Sequence, residues 1–409
     1  MSNKTYIFLI LILGSLTALG PFSIDMYLPG FPAIAEDLHT TAAKVSLSLS
    51  GFFIGISAGQ LLYGPLLDRF GRKKPLYIGL IVYILASAGC AMATSINTLI
   101  LMRFIQAIGS CAAAVASVAM VRDLFPVKDS AKVFSLLLLV VGASPMIAPT
   151  VGGYVTAAFG WHAVFLILTA MGVAILAATW LWLPDSYKPD TKLSLKPKPI
   201  ILNFVGVIRE PQFYTYSFTG AIAFSGLFAY VSGSPLVFME VFHVNGEVYG
   251  WIFAFLSVGF IGSSQLNTLF LRKFRSEQLV HMALIAEVIV SLAFLFAALN
   301  GLLTLTTTIV MIFLFLCCIG FVNPNAAALS LAPFSKNAGS ASAMMGALQM
   351  GIGAAISVII SLFEIPSAVP MIAAMAGSSI LALSVFLIGK RTIKQQIEVS
   401  EGVEAGMIH

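Results

Sequence analysis

The sequence predicts an all-α membrane protein: twelve transmembrane helices in two six-helix, pseudo-symmetric halves. Three observations carry that expectation. Of 409 residues, 59% are hydrophobic and only 10% charged, against about 25% charged in a water-soluble domain, and the mean hydropathy is +0.98. The apolar residues fall in runs of about 20, the length at which a helix rising roughly 1.5 Å per residue crosses a bilayer core. The Lys and Arg residues cluster in alternate gaps between those runs.

The first run begins at Tyr6 behind Lys4 and resembles a secretory leader. No small-residue cleavage site precedes Pro21 and Asp25, so it reads as an uncleaved first span of about 6–28. Runs at about 44–66, 75–94, 98–121, 132–157 and 161–183 complete the first half. The only long polar stretch is 184–212, PDSYKPDTKLSLKPKP and onward to REP. Beyond it, runs at about 213–239, 248–270, 278–298, 303–327, 339–363 and 369–389 form the second half. The expected organisation is 1–183, a linker 184–212, 213–389 and a tail 390–409.

With the N-terminus placed in the cytoplasm, all but two of the 22 Lys and Arg residues fall in cytoplasmic segments, the exceptions being Lys44 outside and Arg103 within a span. One crossing more or fewer would scramble that split. The net charge of +5 is therefore an orientation signal and not a nucleic-acid site. Both termini and the linker are expected in the cytoplasm, and the bilayer is the solvent.

Enzyme chemistry finds no support in the residues. Cys90, Cys111, Cys317 and Cys318 lie in apolar runs without a CxxC pair or a nearby His, and read as buried fillers. The five His residues stand apart, no HExxH is present, and no Gly-rich loop ends in Gly-Lys-Ser/Thr. Direct use of ATP is thereby excluded, and no metal or other cofactor is called for.

The motifs narrow the reading. Span 2 ends Gly64-Pro-Leu-Leu-Asp68-Arg69-Phe-Gly71-Arg72-Lys73-Lys74. Gly64 permits close helix approach, Gly71 a tight turn, and Asp68 and Arg72 set opposite charges at the membrane surface. Span 4 carries Leu99-x-x-x-Arg103-x-x-Gln106, and span 5 carries Gly142-x-x-Pro145-x-x-x-Pro149-x-x-Gly152-Gly153. The first string resembles the loop between spans 2 and 3 of the major facilitator superfamily. The second resembles its span-4 motif, with Ala107 where the family has Gly, and the third its antiporter motif. Asp25-Met-Tyr-Leu-Pro29, Gln60-Leu-Leu-Tyr63-Gly64, Arg122-Asp123 and Asn323-Pro-Asn325 are similar to the bicyclomycin-resistance (Bcr/CflA) group of drug:proton antiporters. Trp161-His162 departs from that group's Trp-Arg.

The resemblance implies the major facilitator fold, with spans 1, 4, 7 and 10 around a central cavity. It implies that Asp25 binds and releases a coupling proton, the gradient serving as energy source. Substrate would meet Asp25, Gln60, Tyr63, Arg103, Gln106, Asn323 and Gln349. Gly64, Asp68, Arg69, Gly71, Arg72, Arg122 and Asp123 would gate the cytoplasmic side, and Gly142, Pro145, Pro149, Gly152 and Gly153 would bend span 5. A monomeric exporter of drug-like amphiphiles is the expected function. A dedicated exporter of one natural product, such as a siderophore or amino-acid derivative, fits the same residues, and a channel or receptor is a more distant alternative.

The residues point to Asp25 and Arg103 independently, because an ionisable group inside a span is costly unless paired or wetted. At roughly 1.5 Å per residue, Asp25 is about 27 Å from the inner end of its span and Arg103 about 8 Å from the outer end of its own. Both fall in the outer half of the membrane, where they can meet. Glu287, inside span 9, has no basic residue in its span and is left between a transport and a structural role. Met344, Met345 and Met350 read first as apolar filler; the rotation of Gln265, Asn267 and Gln349 is not fixed by periodicity.

Overall fold

The computed structural model describes residues 3–187, 189, 197–334, 338–363, 367–393 and 397. Twelve of the described helical segments are long and apolar enough to cross a membrane, and no strand occurs among the described residues. The first six are α1 (Asn3–Asp25), α3 (Ala42–Phe70), α4 (Lys73–Ala91), α5 (Ile96–Leu124), α6 (Val127–Phe159) and α7 (Trp161–Trp182). The last six are α9 (Pro211–Pro235), α10 (Gly246–Phe270), α11 (Ser276–Leu299), α12 (Leu305–Leu331), α13 (Ala338–Ser361) and α14 (Val369–Lys390). A short α2 (Phe31–Asp37) follows α1 after a tight turn at Leu28–Gly30. Pro29 and Pro32 stand at that break, where a missing N–H is tolerated at a helix start.

Helix ends follow from local chemistry. Thr41, Ser95, Asn245 and Thr304 each accept a backbone N–H of the first turn of α3, α5, α10 and α12. These four helices start at one end of the bundle and finish at the other, where Arg69 and Arg122 lie in the last turns of α3 and α5. Basic side chains suit the negative end of a helix dipole. The finishing end is called the basic end here, and the opposite one the far end.

The stretch 184–212 between the two sets of spans contains a short helix, α8 (Pro197–Ile208). Its sequence, PKPIILNFVGVI, is apolar but about 18 Å long, too short to cross a bilayer. Val207 is buried in a cluster with Phe213 and Ala341, so α8 lies across the basic end of α9 and α13.

Two seams join the first six spans to the last six: α3 packs on α13, and α6 on α10. At the far end these seams are tight. A Cβ at Gly152 would sit 1.8 Å from the Met26 carbonyl oxygen, so only glycine admits the turn after α1. Ser50 of α3 and Ser232 of α9 each donate to Ser357 Oγ of α13 at 2.7 Å. Phe53 and Phe228 meet edge to face, with ring centroids 4.4 Å apart, one turn further in. α6 runs as one helix through Pro145 and Pro149, and its Gly153 abuts the Gly246 carbonyl at the start of α10.

Candidate functional site

At the basic end the seams part around a cavity of about 980 Å³. Its deep wall is built from Thr17, Gly20 and Ile24 of α1, Ile56 and Gln60 of α3, and Ser110 and Cys111 of α5. The second half adds Ser342, Ala343 and Met350 of α13. Hydroxyl, amide and thiol groups are thus set among apolar ones, and among the described residues no charged side chain lines the deep part. The charged lining residues described, Asp68, Arg72, Arg122 and Asp123, stand at the mouth. Asn203 and Phe204 of α8 complete the rim, Asn203 donating to Ser340 Oγ at 2.8 Å.

Arg72 organises the mouth. It donates to Asp68 Oδ1 at 2.6 Å and to Asp123 Oδ2 at 2.8 Å, and its guanidinium lies 4.1 Å from the Tyr187 ring centroid. Burial opposes its charge, but the Asp123 and Asp68 carboxylates outweigh burial and raise its pKa above the usual arginine value. Arg72 therefore stays charged at every physiological pH. Gly71, with φ of +81°, makes the turn that brings Arg72 back toward Asp68, a conformation that favours glycine. Gly64 departs from its expected role, because it faces the open cavity with no atom within 4 Å of where a Cβ would stand.

Arg103 is fully buried, and it does not pair with Asp25. It donates to Gln106 Oε1 at 2.6 Å and to the Ser23 carbonyl at 2.8 Å, between the rings of Tyr27 and Phe52, each 4.2 Å away. The reason lies in the end of α1. Helix C-termini leave their last carbonyls without intrahelical donors, and the dipole there is negative. The guanidinium takes one of those carbonyls and two aromatic faces in place of a carboxylate. Gln106 passes the network to Ser87 Oγ at 2.7 Å, and Ser23 Oγ meets Tyr83 OH at 2.8 Å, so α1, α4 and α5 are tied together.

The structure separates the residues expected around the substrate. Gln60 lines the cavity, whereas Arg103 and Gln106 are enclosed in the helix core. Tyr63 is buried facing Gly79 of α4. Asn323 and Gln349 bond each other at 3.4 Å between α12 and α13, and Asn325 donates to Asn267 Oδ1 of α10 at 2.7 Å. Asp25 lies one residue beyond the cavity-lining Ile24, is 5% exposed, and has no ion pair or hydrogen bond among the described residues. Of the methionines, Met350 reaches the cavity, while Met344 and Met345 pack beside Phe213. Gln265 is exposed, and Glu364 falls outside the described residues.

Several wall residues escaped the motif reading, yet a signal for them exists. Ser110, Ala114 and Val118 recur every fourth residue along α5 in phase with the motif residue Arg122, and Thr17, Gly20 and Ile24 every third or fourth along α1. That is the spacing of one helix face.

The sequence profile of the Major Facilitator Superfamily matches residues 13–358. The chain belongs to that superfamily. It is a multi-pass membrane transporter and not an enzyme. An uncharacterised MFS-type transporter, YdgK of Bacillus subtilis (strain 168), is 32% identical over 96% of this chain and 98% of its own. A bicyclomycin resistance protein homologue of Haemophilus influenzae is 30% identical, covering 96% of this chain and 99% of its own, which bears out the kinship expected from Asp25, Gln60 and Asn323. Among solved structures, a bacterial homologue of the human lysosomal transporter Spinster superposes with a TM-score of 0.74 at 15% identity, over 96% of this chain and 98% of that one. That last likeness concerns the fold.

Proposed function

We propose that this protein exports small amphiphilic, drug-like molecules from the bacterial cytoplasm across the inner membrane in exchange for protons. The observation that carries the reading is the cavity of about 980 Å³, open at the basic end and stopped at the Asp25 level by the Gly152–Met26 contact. Its mixed wall suits a ligand that buries apolar surface and accepts or donates a few hydrogen bonds. A relative at 30% identity carries the name bicyclomycin resistance protein homologue, which supports a drug-like ligand. The basic end is the cytoplasmic one in this reading, because Lys and Arg gather in cytoplasmic loops. Rocking of the two halves about the α3–α13 and α6–α10 seams would then carry the cavity from one face to the other.

Asp25 is the proton carrier of this reading. Among the described residues it is the carboxyl nearest the deep cavity wall, it sits at the sealed seam, and no cation pairs with it. A ligand must bind the two protonation states differently for exchange to be coupled. One chain suffices, since the described cavity wall comes from one set of helices. Purified protein in vesicles with an imposed pH gradient, assayed with bicyclomycin, tests the reading. Gradient-dependent, saturable flux that Asp25→Asn abolishes is expected. Flux indifferent to the gradient would remove the proton coupling.

A further inference from the structure

Two buried polar groups at the far end lie within electrostatic reach of each other, and among the described residues neither has a hydrogen-bond partner. One is the Asp25 carboxyl. The other is the hydroxyl of Tyr230 on α9, a residue 2% exposed whose oxygen makes no hydrogen bond. The Tyr230 ring is held by stacking on Phe253 of α10, centroids 5.3 Å apart. Beside it Tyr249 of α10 is already engaged, its hydroxyl 2.8 Å from Ser234 Oγ. Both tyrosines lie within electrostatic reach of Asp25. The helix register agrees independently. Met26 abuts Gly152, and Gly250, next to Tyr249, would place a Cβ 2.7 Å from Thr150 Cα, within one turn of Gly152 along α6.

We propose that Tyr230 is a positioning residue for Asp25, its hydroxyl donating to the carboxylate whenever Asp25 is ionised. This rests on the reading of Asp25 as the proton carrier. A carboxylate accepts only, and a phenol is a donor suited to it. When the carboxyl takes up a proton, the bond is released and the two groups stand unpaired as seen here. The other groups around Asp25 are held elsewhere. Arg103 of α5 donates to Ser23 and Gln106, and its unpartnered Nε belongs to a guanidinium held between the Tyr27 and Phe52 rings. Tyr83 of α4 meets Ser23 Oγ, and Tyr27, in the turn after α1, bonds Ser48 of α3 at 3.1 Å. On α6 Tyr154 is exposed and bonded to Trp251, and on α7 His162 faces Asp37. Glu240 and Glu247, after α9 and on α10, lie toward the partly exposed rim. Among the hydroxyls of these groups, that of Tyr230 alone is deeply buried without a partner.

The test is Tyr230→Phe in the full-length protein, read without any substrate. Dicyclohexylcarbodiimide modifies protonated carboxyls in apolar surroundings, so labelling of Asp25 against pH, followed by mass spectrometry, reports its ionisation. Removing a hydroxyl that makes no bond in this state leaves thermal stability equal or higher, whereas losing a donor to the anion lets labelling persist to higher pH. The half-point is expected to move up by about 0.5–1 pH unit. A Tyr230→Phe curve superposed on a titrating wild-type curve overturns this inference and leaves the proposed function intact. A wild-type Asp25 whose labelling is flat with pH overturns both.

Discussion

Arg103 donates to the carbonyl of Ser23, two residues before Asp25, and leaves the acid itself unpaired. The fully buried Arg103 is therefore a tie between helices, and the acid is free to change its charge without breaking that tie. The two residues divide their work by the last turn of α1. Arg103→Ala should unpair the Ser23 carbonyl and Gln106 in a buried site and empty the space between Tyr27 and Phe52. The expected loss is about 2–4 kcal/mol, seen as a lowered unfolding temperature of purified protein. Arg103→Lys should recover little, since an ammonium lacks the planar fork that reaches both acceptors. An unfolding temperature equal to wild type in Arg103→Ala would contradict the tie.

Gly152→Ala bears on the far-end seal. The added methyl would lie 1.8 Å from the Met26 oxygen, and backbone cannot yield as a side-chain tip can. The first turn after α1 must then lift away from α6. Export should fall at least tenfold, with the cavity exposed from the far side. A membrane-impermeant thiol reagent applied from that side should then label Cys111, which it should not reach in the wild type. Labelling from the basic end only, in both proteins, would refute the idea.

Much of this was legible in the sequence, and the exceptions have physical causes. Span positions came through because a bilayer demands long apolar runs, and the ends of α3, α5 and α10 fell within a few residues of expectation. Asp68, Gly71 and Arg72 were legible because a latch needs local spacing, and Arg72 meets Asp68 one turn away. What sequence spacing does not contain is rotation. Gln106 was expected beside substrate, yet it turns inward to Ser87, and Asn323 turns to Gln349. The α8 helix was hidden because its seven hydrophobic residues are too few to span and stand behind a basic, Pro-rich stretch. Tyr230 carried no motif at all; only the fold sets it across from Asp25.

Glu287 gives a prediction of opposite sign. It is fully buried on α11 with both carboxyl oxygens lacking hydrogen bonds, and Cys318 of α12 is within its electrostatic reach. An unsatisfied buried acid destabilises, and an apolar residue of similar volume removes that penalty. Glu287→Met should raise the unfolding temperature, by about 1–3 kcal/mol of stability, and leave bicyclomycin flux near wild type. Lost proton coupling in a well-folded variant would instead assign Glu287 a place in transport.

Orientation can be checked separately from activity. Reporter fusions at residue 195 and residue 400 should both report the cytoplasm, because the linker and tail carry Lys192, Lys196, Lys198 and Lys394. A fusion at residue 301, between α11 and α12, should report the opposite side. Exchange of the two signals would invert the whole assignment of cavity mouth and seal.

The last prediction concerns closure of the mouth. Asp68 is held by Arg72, and its side chain is 47% exposed to the open cavity. The N-terminal turn of α13 stands at the same rim, its Ser340 hydroxyl accepting from Asn203. A helix N-terminus carries partial positive charge. When the rim closes, Asp68 is the anion positioned to meet it, so the carboxylate is expected to favour the closed mouth. Asp68→Asn keeps the shape and removes the charge, weakening both the Arg72 bond and the meeting with α13. Because the pair is partly exposed, its worth is modest, about 1 kcal/mol or less for the Arg72 bond alone. Turnover should fall several-fold while the half-saturating concentration of bicyclomycin barely changes, since the deep wall is untouched. Raised salt should narrow the difference between variant and wild type, as screening weakens the exposed charge in the wild type alone. Equal turnover at equal expression, at low and high salt, would mean that Asp68 plays no part in closing the mouth.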